Sequence, residues 1–507
     1  MKRVWLFLVL LSAMLWQCQN KKSDSASESA GDFTAGEALA RQYCASCHLF
    51  PSPALLDKAT WTGQVLPNMA ARLGYRPEGY NPFEGVDSTE VDAIKRLNIY
   101  PEISTISEDT YRSIVNFYQK NAPEVLPAQN RSTATANVPP PFLPEQINIG
   151  KKEVPQVTLL EYEPNQGILF VGDHLQLYAF DRNLKGVGSW QTQSPSVDLE
   201  VTKDGIMVLS IGEFNPSEST AGVFFPLTLK NDLPAESYVI TELQRPVQFS
   251  VGDLNEDQQE DLIICSFGNH QGQLAWYDHF DSTKDKVLTS LPGSRKTEII
   301  DLDNDGRNDI VALLAQAWEK LVVYYNEGNG QFVEVTLIEL PAVHGSSYFE
   351  LTDFNEDGHL DILMTNGDNW DYSNVPKPYH GVRIYLNDGL NQFEEAYFYP
   401  LFGCNEARAV DFDNDGDLDI AAIAFYSDQP TEGFVYLENK GKLNFTAHFM
   451  GETANGKWLT MDIGDFNQDG YQDIFLGSYF HNASELVRLM SAGVESFPEV
   501  LLLTYNR

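Results

Sequence analysis

At 507 residues the chain is too long for one ordinary domain, and its formal net charge of −38 is strongly acidic. This charge excludes nucleic acid as a partner, because binding phosphates needs a basic footprint, and it favours cations instead. Hydrophobic residues make up 43% of the chain and aromatic residues 12%, so the acidity does not indicate a disordered protein.

Residues 1–18 are typical of an export signal. Two basic residues precede an apolar stretch from residue 4 to 16, which is shorter than the roughly 20 residues that span a bilayer. The stretch ends at Cys18 and a polar tether follows over residues 19–31, an order that resembles a bacterial lipoprotein signal. The resemblance implies lipidation of Cys18, location in the periplasm or on the outer cell surface, and membrane contact through the lipid only. Ordinary signal cleavage is the alternative.

A single Cys-x-x-Cys-His sequence begins at Cys44. Zinc needs about four ligands, yet the remaining cysteines are isolated and His48 is the only histidine before His174. A thioredoxin-like dithiol needs a βαβ context, whereas a helix-forming segment, AGEALARQY, leads into the motif. Covalent haem explains every part of it, with Cys44 and Cys47 as the thioether residues and His48 as the proximal iron ligand.

Residues 32–125 around this motif resemble a class I c-type cytochrome, which implies a small all-α domain that carries one covalent haem c. Met69 is the only methionine of this segment and is therefore the predicted distal axial ligand. Without Met69 the iron would be five-coordinate. The spacing of Tyr111, Ile114 and Tyr118 predicts an amphipathic helix that packs beside the haem-bearing helix.

Residues 126–151 include a small, polar and proline-rich stretch and are predicted to be a linker. Beyond it, over residues 152–507, one frame recurs five times at intervals of 48 to 58 residues. The copies, which begin at residues 253, 301, 353, 411 and 465, are DLNEDQQED, DLDNDGRND, DFNEDGHLD, DFDNDGDLD and DFNQDGYQD.

The repeated frame has oxygen-bearing side chains at positions 1, 3, 5 and 9. They converge on one Ca²⁺ if the backbone turns sharply at the glycine of position 6, and the apolar residue at position 12 excludes an EF-hand. Gln258 replaces that glycine in the first copy, so we expect about four or five calcium ions. The predicted ligands are Asp253, Asn255, Asp257, Asp261, Asp301, Asp303, Asp305, Asp309, Asp353, Asn355, Asp357, Asp361, Asp411, Asp413, Asp415, Asp419, Asp465, Asn467, Asp469 and Asp473.

Apolar runs flank each copy and are predicted to be antiparallel β-strands. A calcium loop between two such strands resembles the FG-GAP/VCBS repeats of integrin-α-type β-propellers. Two further blades, without the metal motif, are predicted at residues 157–181 and 196–214. The fold class is therefore multidomain, with a small all-α cytochrome c domain followed by an all-β propeller of seven blades. Six and eight blades are the alternatives.

In such a propeller the loops opposite the calcium loops form a second rim, where aromatic, histidine and amide side chains would bind a carbohydrate or protein ligand or dock the haem domain. The rim residues are Asn269, His270, Gln316, Trp318, His344, Asn369, Trp370, Tyr372, His380, Glu406, Arg408, Lys457, Trp458, Tyr479 and His481. Cys265 and Cys404 receive no catalytic role.

Three functions fit these features. The favoured one is an exported electron-transfer protein, in which the haem passes electrons to a redox partner that the sequence does not name and the propeller is a binding or docking scaffold. The first alternative is an oxidoreductase whose propeller oxidises a substrate, such as a carbohydrate, and reduces the fused haem. The second is a surface binding or adhesion protein. The sequence assigns no catalytic residues, so an electron carrier is favoured over a cytochrome-linked dehydrogenase.

Overall fold

The computed structural model describes residues 34–150, 154–202, 205–229, 239–368, 375–427, 429–491, 493–494 and 496–506. The predicted export signal, Cys18 and the tether lie outside these ranges. The described residues form a helical module and a seven-bladed β-propeller. None of their helices is long and apolar enough to cross a membrane.

The helical module contains five α-helices. Side chains cap the N-termini of four of them, and the other helix continues directly from the turn before it. The five helices are α1 (Ala35–Cys44), α2 (Lys58–Thr60), α3 (Leu66–Arg72), α4 (Ser88–Arg96) and α5 (Glu108–Asn121). A π-helical turn (Trp61–Val65) connects α2 to α3. Ser107 begins α5, since its hydroxyl accepts a hydrogen bond of 3.1 Å from Thr110 N.

Helices α1 and α5 pack closely against each other. A Cβ atom at Gly36 would lie 2.6 Å from Ser113 O, so glycine is what permits this approach. Ile114 and Tyr118 are buried in the core that α1 and α5 share, and Tyr111 packs against it while partly exposed. The predicted amphipathic helix is therefore confirmed.

Seven four-stranded blades form the propeller, preceded in the chain by β1 (Ala134–Thr135) and β2 (Phe142–Ile147). The first three blades are β3 (Val157–Glu163), β4 (Ile168–Asp173), β5 (Gln176–Asp181) and β6 (Gly186–Gln191); β7 (Ser196–Thr202), β8 (Gly205–Ser210), β9 (Gly222–Leu227) and β10 (Ile240–Leu243); and β11 (Pro246–Gly252), β12 (Asp261–Ser266), β13 (Gln273–Tyr277) and β14 (Asp285–Thr289).

The fourth, fifth and sixth blades are β15 (Ser294–Ile300), β16 (Asp309–Leu314), β17 (Lys320–Asn326) and β18 (Phe332–Glu339); β19 (Ser346–Thr352), β20 (Asp361–Asn366), β21 (Gly381–Asn387) and β22 (Phe393–Pro400); and β23 (Cys404–Val410), β24 (Asp419–Ala424), β25 (Phe434–Asn439) and β26 (Phe445–His448). The seventh comprises β27 (Trp458–Gly464), β28 (Asp473–Ser478), β29 (Val500–Tyr505) and the early strand β2, with α6 (Ala483–Ser491) inserted before β29.

This architecture confirms the seven blades and places the two motif-free blades first and second. The second strand of every blade from the third to the seventh is buried along its whole length. Its apolar side chains pack between neighbouring sheets, so the hydrophobic core is a ring of clusters between blades.

The predicted linker, residues 126–151, is corrected by the structure. Within it β2 pairs along its whole length with β29, and β1 pairs in parallel with β26 at the edge of the sixth blade. The propeller therefore begins before residue 152. Only the two ends of β2, Phe142 and Ile147, are buried, which leaves a weak alternation of apolar and polar residues in the sequence.

Candidate functional site

The helical module lies on the propeller face opposite the calcium loops. Arg72 Nη2 is 3.3 Å from His270 Nδ1 in the third blade, and the Tyr379 hydroxyl donates a hydrogen bond of 2.9 Å to Leu55 O. Glu218 N donates a hydrogen bond of 2.8 Å to a Glu90 carboxylate oxygen. These contacts connect three blades to the helices.

A cavity of about 920 Å³ lies between the helical module and this face, and we call it the interface cavity. Its helical wall includes Cys44, Cys47, His48 and Met69. The four residues that the sequence predicts as haem ligands therefore line one cavity, although three short helical segments separate the motif from the helix that carries Met69. The volume lies in the range of cofactor and ligand pockets, roughly 300–1,000 Å³.

Much of the remaining helical wall is apolar, although Asn68 and Arg72 also line it. Trp61, Leu66 and Ile114 line it, together with Tyr118. Trp61 Nε1 donates to Pro53 O at 2.9 Å and the Tyr118 hydroxyl donates to Pro51 O at 2.7 Å, so the polar atoms of both rings are satisfied away from the cavity. Such a wall suits a flat, hydrophobic macrocycle.

The donor atoms of the motif fit the predicted group. His48 Nδ1 lies 2.8 Å from Leu49 O, and since a carbonyl only accepts, Nδ1 carries the proton and Nε2 keeps its lone pair for a metal. Cys44 and Cys47 are free thiols. Burial raises the pKa of the Cys44 thiol to about 11, while Cys47 is exposed.

The propeller supplies the opposite wall through loops between strands and between blades. Asn269, His270, Gln316, Trp318 and His481, all predicted rim residues, line the interface cavity. Burial, and then the neighbouring Arg72 guanidinium, lower the pKa of His270 to about 4, so its imidazole is neutral at pH 7. These five residues thus lie on the face that the sequence predicted for the rim.

Other predicted rim residues lie elsewhere. His380 is fully buried and stacks on Phe402 with ring centroids 5.6 Å apart, while Trp458 is fully buried and donates Nε1–H to Thr453 O at 2.9 Å. Arg408 Nε donates to a Glu406 carboxylate oxygen at 2.8 Å beneath the rim. His344 stacks on Tyr379, and Tyr479 stacks on Phe214. Lys457 forms an ion pair with Glu485. Asn369, Trp370 and Tyr372 lie outside the described residues.

The calcium loops share one backbone arrangement. In the loop at 301–309, Asp301 accepts hydrogen bonds from Asp305 N at 3.0 Å and from Gly306 N at 2.9 Å. Buried Asp309 accepts from Leu302 N at 3.0 Å and, across the blade, from Asn326 N at 2.8 Å. The other four loops repeat the bonds at positions 1 and 9.

Carboxylates converge in two of these loops. Oxygen atoms of Asp301, Asp303 and Asp309 lie within 4.8 Å of one another, as do those of Asp411, Asp413 and Asp415. A carboxylate oxygen that accepts one backbone hydrogen bond keeps a second lone pair, so position 9 can still bind a cation. The geometry fits the predicted calcium ligands.

A family profile described as FG-GAP-like repeat matches residues 301–364 and 411–476, which contain four of the five loops. The propeller carries FG-GAP-like repeats. Integrin alpha-4 of Xenopus laevis is 28% identical over 153 residues, a match that covers 27% of this chain and 14% of the integrin. The chain thus spans a small part of that relative.

Two solved structures are also similar. The Pan2 WD40 domain of Neurospora crassa has 11% identity and a TM-score of 0.44, over 74% of this chain and 98% of that one. Sqt1 of Saccharomyces cerevisiae has 10% identity and a TM-score of 0.44, over 73% and 100% respectively.

The loop at 253–261 departs from the other FG-GAP-like loops and lies outside the matched residues. Gln258 takes the glycine position with φ of +69°. His279 Nε2 lies 2.6 Å from Asp257 Oδ2 and 3.3 Å from Asp278 Oδ1, so an imidazole sits beside a predicted calcium ligand. Sequence reasoning foresaw the glycine replacement but not His279, which comes from a different turn.

Sequence reasoning also missed two arginines of the FG-GAP propeller. Arg245 and Arg295 line the interface cavity from the third and fourth blades. Arg245 lies immediately before β11 and Arg295 lies within β15. At both places the apolar pattern predicts a β-strand and gives no sign of a binding site. The departure of the two arginines from the repeat was the available signal.

Proposed function

We propose that this protein is an exported c-type haem protein that transfers single electrons, with its FG-GAP propeller as a docking scaffold over the haem site. The observation that carries the proposal is the meeting of Cys44, Cys47, His48 and Met69 in the interface cavity. Export through residues 1–18 and lipidation at Cys18 belong to the same proposal.

Each residue would have a separate role. Cys44 and Cys47 would hold the porphyrin covalently, and His48 would bind iron through Nε2 because its Nδ1 is engaged with Leu49 O. Met69 would provide a thioether ligand, which favours reduced iron. A haem bound there supplies one-electron chemistry, while the apolar wall around Trp61 excludes water and contributes to a high potential.

The propeller's part in this proposal is to cover and to present the site. Its loops form the second wall of the cavity, so a redox partner would approach at the margin between the two modules. Calcium in the five loops would stabilise the turn after the first strand of the five blades that carry them, where carboxylates otherwise repel one another. This role is structural rather than regulatory.

The deciding experiment is a pyridine haemochrome spectrum of protein produced with the cytochrome c maturation machinery. We expect one covalent haem, retained after extraction with acidic acetone. The double variant Cys44→Ala/Cys47→Ala should lose all covalent pigment, whereas the control Cys265→Ala, which changes a buried propeller thiol, should keep it. Colourless wild-type protein would refute the proposal.

The axial role of Met69 has its own test. Met69→Leu keeps an apolar side chain of similar size but removes the sulfur, so the midpoint potential should fall by on the order of 0.1 V, given that axial ligands tune haem potentials over about 0.8 V. The methionine–iron charge-transfer band should disappear. Met450→Leu, in the propeller core, should change neither. An unaltered band in Met69→Leu would exclude ligation by Met69.

A second candidate function is an oxidoreductase that delivers electrons to the same haem. It is favoured by polar and aromatic side chains on the propeller wall, including His270, Trp318 and His481, which line the same cavity as His48. Sugars and alcohols should then reduce the oxidised protein directly, seen as the reduced haem bands. Absence of reduction across a broad panel supports the carrier instead.

A further inference from the structure

The interface cavity is rich in positive charge although the chain is strongly acidic. Among the residues that the structure describes, four cationic side chains line it, Arg72, Arg245, Arg295 and Lys377, against two carboxylates, Glu319 and Asp368. Because the chain as a whole carries a formal charge of −38, this wall differs from the average surface in the sign of its charge. A ligand enclosed here would be favoured by negative groups.

Arg295 is held by neutral groups. Its Nε donates to Ser347 O at 3.0 Å, and its guanidinium lies 5.9 Å from the centre of the Phe267 ring. No carboxylate of the described residues forms an ion pair with it. A guanidinium that is half-buried and fixed in this way keeps its terminal nitrogens for a planar anion.

Arg245 faces the same ring from the neighbouring blade. Its guanidinium lies 5.3 Å from the Phe267 centre, and Nε and Nη1 donate to Phe214 O at 3.2 Å and to Gly268 O at 3.1 Å. The two arginines thus flank one aromatic ring at the cavity wall. Main-chain carbonyls fix the orientation of both.

The backbone of Arg245 shows that the repeat does not require this side chain. Its φ is +47°, in the left-handed region that L residues rarely adopt. Eight residues before the calcium motif of the next three blades, the equivalent position is glycine, also with positive φ: Gly293, Gly345 and Gly403. An arginine at a glycine position costs about 1 kcal/mol or more in backbone strain, and such strain is typical of functional sites.

We propose that Arg245 and Arg295 form a carboxylate-binding pair on the propeller wall of the interface cavity. The ligand is either a propionate of the porphyrin or a soluble carboxylate that enters the cavity; the first source rests on the proposed function and the second does not. Guanidinium forks match carboxylates in a bidentate geometry, and enclosure between the two modules strengthens the pairing.

The test compares full-length wild type with Arg245→Gly and Arg295→Gln. Arg245→Gly introduces the residue that the next three blades have, so it relieves strain instead of endangering the fold. Arg112→Gln, at an exposed position of α5, is the control. Two measurements are made on each protein: the midpoint potential as a function of pH, and calorimetric titration with acetate and succinate.

If propionate is the ligand, each variant should acquire a pH-dependent potential between about pH 5 and 8, because the carboxyl group loses the cations that keep it ionised. The ferric-to-ferrous ratio at fixed potential should change about tenfold, which is 59 mV for one electron. If a soluble carboxylate is the ligand, succinate or acetate should bind wild type at least tenfold more tightly than either variant, with an unchanged potential profile.

The proposal is overturned if both variants match wild type and Arg112→Gln in both measurements. Wild-type protein without covalent haem would refute the proposed function, and titration of that haem-free chain would then decide the carboxylate pair alone. The two failures are therefore distinguishable.

Discussion

The two faces of the propeller differ in how closely their loops follow the sequence repeat. On the face of the predicted calcium loops, five loops repeat the same backbone hydrogen bonds, with the aspartate of position 5 exposed and that of position 9 buried in every loop. On the face that meets the helical module, neighbouring blades present different residues, such as His270, Trp318 and His481. Repetition therefore marks the positions that stabilise the blades, and departure from repetition marks the positions that form the cavity.

The largest effect should come from breaking the repeated face at its buried position. Asp309→Ala would leave the amides of Leu302 and Asn326 buried without acceptors, which should lower the free energy of unfolding by about 3 kcal/mol in excess chelator, and by more in calcium because Asp309 is also a predicted ligand. Asp305→Ala, an exposed predicted ligand in the same loop, should lower the thermal midpoint in calcium but not in excess chelator. An Asp309→Ala variant as stable as wild type in excess chelator would contradict this division.

An intermediate effect is expected where the two modules meet. The pKa of His270 is about 4 in the folded protein, below its ordinary value of 6.5, because of burial and the Arg72 guanidinium. The neutral imidazole makes its full contribution to the free energy of unfolding above pH 6.5. This contribution is lost as the pH falls toward 4, which lowers the free energy of unfolding by on the order of 1–2 kcal/mol. Thermal midpoints measured from pH 7 to 4.5 should therefore fall more steeply for wild type than for His270→Gln. Parallel curves would exclude this contribution.

The smallest effect should come from making the first loop resemble the others. Gln258→Gly places glycine at a φ of +69° and should stabilise the propeller by about 0.5–1 kcal/mol and strengthen calcium binding to this loop. Gly306→Ala is the reverse substitution and serves as the control. A Cβ atom there meets no atom within 4 Å, so only the backbone strain at a φ of +92° should destabilise this variant. The two changes should shift the thermal midpoint in opposite directions.

The sequence was sufficient for much of the repeated face. The spacing of the acidic motif predicted five of the seven blades, alternating strand and turn patterns predicted the other two, and the apolar runs predicted the buried second strands. It did not reveal that position 4 of every loop also has positive φ, from +57° at Glu356 to +66° at Glu256, because the glutamate or glutamine at three of these positions gives no conformational signal there. The strand β2 was missed for a related reason, since only its two ends are buried.

The cavity was predicted only in part, because it depends on residues far apart in the chain. The Cys44–His48 motif is local and predicted a haem-bearing segment, and several rim residues were placed on the correct face. Arg245 departs from the glycine of the next three blades, but nothing in the local sequence pattern shows that it and Arg295 line the same cavity. Tertiary contact between Arg72 and His270 lies beyond any local pattern.

The pairing of β2 with β29 has a consequence for biogenesis. The helical module precedes β2, so during synthesis it is complete long before β29 is available to close the seventh sheet. Until β29 pairs with β2, the propeller wall cannot obstruct Cys44 and Cys47. Under the proposed function, this chain order would give a maturation enzyme time to reach both sulfurs.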